Sequence, residues 1–172
     1  LNPNGIIFGS NASLDVKGSF LASTANSVLF NNGFAFSATD PQAPPLLTVN
    51  VPIGLQYRGN PGAIQSQGAI LEVPNGQSLT LAGGTVNING GSLLAPGGWV
   101  ELAGVAAPGE VGLIQQGQEW RLGVPEGLAR ADLAINNALV DVSAGGGGSI
   151  GLTARNLNLT GARTFLQAGI AS

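Results

Sequence analysis

The sequence contains no cysteine, no histidine and very few charged residues. Without cysteine the chain has neither disulfides nor thiolates, and the absence of both residue types excludes the usual zinc sites. Charged residues make up 9% of the 172 residues, against roughly 25% in an ordinary soluble domain. The six lysines and arginines are outnumbered by nine acidic residues. Because nucleic-acid binding requires clustered basic residues, we expect no nucleic-acid partner.

Long apolar segments are also absent. No run approaches the ~20 residues needed to span a bilayer, and no basic segment followed by an apolar one marks a signal peptide. The chain opens on Leu1 rather than methionine. We therefore expect a segment of a longer protein, with N- and C-terminal parts of the parent missing.

Short strands with one buried face recur along the chain. Hydrophobic residues make up 44% of the sequence, and 28 residues are glycine. An apolar-x-apolar triplet returns about every seven residues, or roughly every ten or eleven where the corner is longer, and its alternation has the period of a β-strand. The triplets are Leu79/Leu81, Val86/Ile88, Leu93/Ala95, Val100/Leu102, Val111/Leu113, Leu133/Ile135, Val140/Val142, Ile150/Leu152 and Leu157/Leu159.

The corners between these triplets are rich in glycine. Gly83-Gly84, Gly90-Gly91 and Gly97-Gly98 mark bends typical of positive φ angles. Three short strands and their corners make a coil of roughly 20–25 residues, the repeat length of a solenoid. The pattern predicts an all-β solenoid, a parallel β-helix of about seven coils stacked at ~4.8 Å. A β-sandwich is the alternative, but its strands usually run longer and are not joined by paired glycines.

One segment interrupts the pattern. A proline-rich connector from Asp40 to Pro45 is followed by two strand-like runs, Leu46–Val51 and Ile53–Tyr57. Pro52 lies between the runs and prevents one continuous central strand. We expect an excursion at 40–60, a short extra-helical β-hairpin on the flank of a single β-helix domain that spans 1–172.

The first residues resemble a known family motif. Asn2-Pro3-Asn4-Gly5-Ile6, followed by Ile7-Phe8-Gly9, is similar to the second asparagine-proline-asparagine motif of the two-partner-secretion domain. That domain opens filamentous haemagglutinin and related adhesins and haemolysins. The similarity continues through 11–16 and 18–25, and the sequence at 46–55 and 90–98 resembles cyanobacterial members.

The resemblance carries expectations about fold, partner and location. It implies a right-handed parallel β-helix and export through a dedicated outer-membrane β-barrel transporter with periplasmic recognition domains. It places the protein outside the cell or on the cell surface. The family's N-terminal cap and first motif would lie upstream of Asn2, so the first coil is expected to have exposed backbone groups unless more of the protein or another chain covers them.

The segment from Asn2 to Ile6 has a structural and a functional interpretation. Structurally, Pro3 fixes φ and Asn4-Gly5 forms a favoured tight turn. Functionally, the resemblance makes Asn2, Pro3, Asn4, Gly5 and Ile6 part of the surface that the transporter recognises. The two roles are compatible, because a turn that shapes the coil also shapes what the transporter meets.

An enzyme is not expected. Catalytic β-helices need clustered carboxylates with basic residues nearby. Glu101 with Glu126 and Glu119 with Asp141 come near the spacing of one coil, but the sequence has no dense cluster. We therefore expect no catalytic residues, no metal site and no cofactor. Trp99, Trp120 and Tyr57 are candidates for stacking on sugars, but packing at corners is the favoured interpretation.

The leading hypothesis is a secreted, non-catalytic exoprotein module that acts in export and as an adhesin or cell-surface stalk. Its expected partners are the outer-membrane transporter and a surface glycan or another cell-surface ligand. The alternative is a structural subunit of an extracellular fibre, because an open coil end is a template for another open end. Self-association through the coil ends would follow. A toxin-delivery protein would need a downstream effector domain.

Overall fold

The computed structural model describes residues 1–40 and 51–170, and within them the chain is all-β. The described residues contain no helix, and therefore none long and apolar enough to cross a bilayer. The strands are short, mostly three to six residues. In chain order they are β1 (Ile6–Phe8), β2 (Phe20–Ser23), β3 (Ser27–Phe30), β4 (Ala35–Ser37), β5 (Pro52–Tyr57), β6 (Ile64–Gln67), β7 (Ile70–Glu72), β8 (Ser78–Gly83), β9 (Val86–Asn89), β10 (Ser92–Leu94), β11 (Trp99–Gly104), β12 (Gly109–Gln116), β13 (Glu119–Gly123), β14 (Leu133–Asn136), β15 (Leu139–Asp141), β16 (Ser149–Thr153), β17 (Leu157–Thr160) and β18 (Phe165–Gln167).

Three of the four sheets are entirely parallel. Sheet A has the order β1-β6-β9-β14-β17, sheet B the order β7-β10-β15-β18, and sheet C the order β2-β8-β11-β16. The chain visits A, then B, then C, and returns to A beside its earlier strand. We call one such circuit a pass. In the first pass the place in sheet B is taken by Ser13, which makes an isolated parallel bridge with Ile70.

Register aligns the inward side chains of successive passes into rows. In sheet A one row runs Ile64, Val86, Leu133, and in sheet B another runs Leu71, Leu93, Val140. All six side chains are fully buried in the same core. The alternation predicted from the triplets thus places one face of every strand inside the stack.

The fourth sheet, sheet D, is antiparallel, with the order β13-β12-β5-β3-β4. The chain leaves the passes twice to build it, once after β2 and once after β11. Sheet D packs on the outer face of sheet C, where Tyr57, Leu55 and Val111 share a second buried core with Ala82 and Ala103. The molecule therefore has one core inside the passes and another between sheets C and D.

The sequence prediction of an all-β chain is confirmed, but two of its details are wrong. The described residues contain four passes through all three sheets and two strands of a fifth, instead of about seven coils. The Val111/Leu113 triplet lies in antiparallel β12 and does not belong to a parallel pass. Both errors have one cause, because period-2 alternation marks a half-buried strand in either kind of sheet.

The segment predicted as an excursion lies partly outside the described residues. The run from Leu46 falls almost wholly within 41–50, which is outside them. The second run forms β5, which begins at Pro52, where a missing amide hydrogen is tolerated. β5 pairs antiparallel with β3 and β12. The sequence patterns did not predict β3, β4 or the β12–β13 hairpin as parts of the same sheet.

Candidate functional site

The segment from Asn2 to Ile6 forms a tight turn that leads into β1. The Gly5 amide donates to the Asn2 carbonyl oxygen at 3.1 Å, and the Asn4 amide donates to Asn2 Oδ1 at 3.2 Å. Gly5 has a φ of +122°, a region that a side chain disfavours. The turn therefore depends on the residue types at Asn2 and Gly5, and Pro3 fixes the φ angle between them.

Backbone hydrogen bonds fix this turn to its neighbours. The Asn2 amide donates to the Ser23 carbonyl oxygen at 3.0 Å, while the amides of Gly62 and Ile6 join the turn to the second pass through Pro3 O and Ala63 O, each at 3.0 Å. A β-carbon on Gly62 would overlap the backbone of Asn4 and Gly5. The turn and residues 62–63 therefore pack backbone against backbone.

The turn presents polar side chains on the outside and apolar groups towards the core. Asn2 and Asn4 are exposed, whereas Pro3, Gly5 and Ile6 are half-buried. Ile6 packs against the core of the passes, and the next residue, Ile7, is 66% exposed. Of the five residues predicted for this site, Asn2 and Asn4 have exposed amide side chains, and the exposed Ile7 lies directly after them in the chain.

The strands beside the turn, β1 and β2, each have one edge without a strand partner among the described strands. Among the described strands, β1 pairs only with β6, and β2 pairs only with β8. The other edge of each strand carries backbone donors and acceptors without a strand partner. The turn therefore stands at the end of the stack where strand pairing stops.

Two of the aromatic residues considered for sugar stacking, Tyr57 and Trp99, make contacts within the fold. Tyr57 is buried, and its hydroxyl bonds to Ser23 Oγ at 2.9 Å and donates to Ala82 O at 3.0 Å. Burial raises the pKa of Tyr57 to about 12, because the phenolate would lose its hydration. The half-buried Trp99 ring has the Arg121 guanidinium 4.0 Å from its centroid. Tyr57 therefore has no accessible face for a sugar. It packs at the end of β5 in the core between sheets C and D, and not at a corner of the passes as predicted.

The carboxylates of the described residues form no group of three or more candidate ligands that could hold a metal ion. Glu101 is buried, and Glu126 is exposed on a turn. Burial raises the pKa of Glu101, against the lowering effect of hydrogen bonds from Leu122 and Trp99 and of the Arg121 charge. Asp132 pairs with Arg155 at 2.9 Å, and the hydrogen bond lowers the pKa of Asp132. These groups make structural contacts.

An apolar cavity of about 270 Å³ lies between sheets C and D, next to β2. Its walls include Phe20, Leu21, Phe30, Leu113 and Trp120, and among the described residues no titratable side chain lines it. Ser19 adds a hydroxyl to this lining, and that hydroxyl bonds to the Gln118 carbonyl oxygen. The cavity therefore offers mainly apolar contact.

A known family matches most of the chain, including the turn. The family described as "TPS secretion domain" matches residues 1–152. The chain belongs to this family. No curated protein and no solved structure matches the chain.

Membership confirms the resemblance read from the first residues and establishes a general role. A TPS secretion domain is the secretion module of a two-partner-secretion exoprotein, which an outer-membrane transporter exports across the outer membrane. The family is one of non-enzymatic secretion modules. The match covers the Asn2–Ile6 turn, the first four passes through β16 except its last residue, and both parts of sheet D.

Sequence reasoning also missed the way in which β13 of this TPS domain is held on sheet C. The signal was present in the stretch from Trp99 to Gly104, where Glu101 is the one charged residue in an otherwise uncharged strand. A carboxylate in such a strand requires hydrogen-bond donors close by. Only the fold shows that one of those donors is the amide of Leu122, more than 20 residues along the chain.

Proposed function

We propose that sheets A, B and C are the three faces of a right-handed parallel β-helix and that the chain is one domain of this kind. Every pass visits the sheets in the same order, and the inward rows stay in register from pass to pass. Connections between parallel strands of one sheet are right-handed in nearly all proteins. The two chain segments that build sheet D are then extra-helical excursions.

We propose further that the turn formed by Asn2, Pro3, Asn4, Gly5 and Ile6 is part of the surface recognised by the transporter. The carrying observation is the geometry of this turn at the end of the stack, with exposed Asn2 and Asn4 amides beside unpaired strand edges. Exposed backbone edges and amide side chains can pair with a strand of a partner. In this role the domain is the export module of a non-catalytic exoprotein, whose mature rod serves as an adhesin or cell-surface stalk.

Secretion by bacteria that express the protein together with its transporter tests the recognition role. Asn2→Ala with Asn4→Ala removes both exposed amides, and we expect the amount secreted to fall several-fold. Asn32→Ala is the matched control, because Asn32 is exposed and accepts the same kind of bond, from the Phe34 amide at 3.2 Å, in the β3–β4 turn. Equal secretion by both variants would rule out a role for the motif amides in recognition.

A second readout separates recognition from folding. Urea unfolding of the purified variants measures any loss of stability. If the Asn2/Asn4 variant is exported poorly but unfolds at the same urea concentration as the control, the amides act on the transporter. If it loses stability in proportion to its loss of export, the motif is a structural turn and the proposed recognition is wrong.

One observation favours the alternative function, a fibre subunit. Leu157 and Leu159 continue the inward row of Leu133 and Ile135, yet they are 47% and 46% exposed, because no further strand among the described residues covers them. An apolar end with one-sided strands is a template for a further strand. End-to-end stacking through this face would extend the rod into a filament.

A further inference from the structure

One short strand touches three successive passes through side chains. β13 is the edge strand of sheet D, and β12 is its strand partner. On its other edge the backbone groups of Gln118, Trp120 and Leu122 bond to side chains that project from the first three passes. We call residues 117–123 the strap.

The three contacts follow the order of the passes. The Ser19 hydroxyl, just before β2 in the first pass, donates to the Gln118 carbonyl oxygen at 2.9 Å. The Trp120 amide donates to Ser78 Oγ in β8 at 2.7 Å, and the Leu122 amide donates to Glu101 Oε2 in β11 at 3.0 Å. Two residues of extended chain cover about 6.8 Å and neighbouring strands are about 4.8 Å apart. The strap therefore crosses sheet C obliquely, and its backbone makes one hydrogen bond to a side chain of each pass.

Of the three side chains in these contacts, that of Glu101 is the carboxylate. Its Oε2 atom also accepts from Trp99 Nε1 at 3.0 Å, and Arg121 lies over the Trp99 ring. Arg121 in turn pairs with Glu119 at 3.3 Å, so the strap supplies both members of the ion pair beside Trp99. A hydrogen bond to a charged acceptor is about twice as strong as a neutral one.

The strap is held by polar groups on one side and by β12 on the other. The residues of β13 are half-buried, whereas the inward rows of β8 and β11 are fully buried. Segments with few buried apolar contacts open at lower free energy than core strands. The strap also comes after Ser19, Ser78 and Glu101 in the chain, so it can close only when all three passes are in place.

We propose that the strap is a latch that closes over sheet C after the first three passes have stacked, ties them together, and opens as a unit while the parallel sheets stay closed. When the latch is open, each pass contacts only the passes next to it. When the latch is closed, the first three passes are joined through one strand and depend on each other for stability. Its use in export, as a lock that prevents the first passes from separating, depends on the proposed function. The latch itself is a property of the fold and is tested without a transporter.

Hydrogen exchange of the full chain, resolved by residue, tests the latch. Glu101→Ala leaves the Leu122 amide and Trp99 Nε1 without their acceptor. We expect exchange at Trp120 and Leu122 to accelerate on the order of ten-fold or more, while amides of residues 133–136 in sheet A change by less than about two-fold. The chain's two tryptophans both touch this region, so their emission should shift to longer wavelength.

Matched variants separate the latch from a general loss of stability. Glu101→Gln keeps an acceptor oxygen and should retain slow exchange at Leu122. Glu110→Ala removes an exposed carboxylate from β12 in the same hairpin and should change neither readout. If the Glu101→Ala variant does not fold, Ser78→Ala and Ser19→Ala can replace it, because each removes one hydrogen bond to the strap. The exchange rates of the strap and of sheet A are then compared in the same way. Equal acceleration of the strap and of sheet A, or no acceleration at the strap, would overturn the proposal.

Discussion

At the scale of single residues, several positions are determined by contacts between passes. Gly62 lies against the backbone of the Asn4-Gly5 turn and has no room for a side chain. Glu101 needs a donor from a strand more than 20 residues later. Neither requirement could be predicted from the residues next to Gly62 or Glu101 in the sequence, because the groups that they contact are distant in the chain.

The contact of Gly62 gives a prediction for stability. Gly62→Ala would place a methyl group into the backbone of the first pass, and we expect the free energy of unfolding to fall by about 1–3 kcal/mol. Gly127→Ala is the matched control, since Gly127 has open space around its α-carbon and no positive φ. Urea unfolding of both variants measures the difference. A Gly62→Ala chain as stable as the control would show that the turn can move away.

The buried carboxylate of Glu101 gives a prediction for pH. Its pKa is raised in the folded chain, chiefly by burial, so the folded state binds this proton more tightly than the unfolded state does. The resulting stabilisation is complete below the unfolded pKa and is lost as pH rises through the folded pKa. Glu101→Gln removes this dependence. We therefore expect the stability of the Glu101→Gln variant, relative to the unsubstituted chain, to be more favourable at pH 7.5 than at pH 4.

Urea unfolding of the two chains at both pH values checks this sign. Glu119→Gln is the control, because Glu119 is a neighbouring carboxylate that pairs with Arg121 on the strap and makes no hydrogen bond to Leu122 or Trp99. If the stability difference between the Glu101→Gln variant and the unsubstituted chain is the same at pH 4 and pH 7.5, the assignment to Glu101 is wrong.

At the scale of strands, the sequence predicts local structure better than partners. The triplets Val86/Ile88 and Leu133/Ile135 predicted half-buried strands, and both lie in sheet A as expected. Val111/Leu113 has the same alternation but pairs antiparallel with β5 and β13. Alternation indicates that one face of a strand is buried, but it does not indicate which strand pairs with it.

In the candidate site, too, the local structure could be predicted from sequence and the contacts with distant residues could not. The Asn2–Ile6 segment could be identified from sequence, because a proline followed by Asn-Gly specifies a turn locally. Its anchors at Ser23 and Ala63 could not, since those bonds link positions far apart in the chain. The contact of Glu101 with Leu122 could not be predicted from the sequence for the same reason.

At the scale of the whole molecule, the two ends of the stack differ. The first pass has the half-buried side chains of Ile6 and Phe8 in its inward row, and the last strands have exposed Leu157 and Leu159. The surface between the ends has few charges. Little electrostatic repulsion therefore opposes contact between copies.

The exposed leucines of the last strands give a prediction for how copies of the chain associate. If copies stack through the last strands, Leu157→Asn with Leu159→Asn should lower the mass of assemblies seen by analytical ultracentrifugation and shorten any filaments seen by electron microscopy. Ile114→Asn is the control, because Ile114 is 49% exposed in β12, away from the last strands. Filaments that persist unchanged in the double variant would rule out stacking through this end.

The oblique path of the strap has a mechanical consequence. Tension along the axis of the stack would peel one pass from the next, loading the bonds of each parallel ladder in turn. Because the strap bonds to Ser19, Ser78 and Glu101 together, the same tension would load its three contacts at once and in shear. We therefore expect the stack to resist pulling most strongly over its first three passes and to yield first in the passes beyond them.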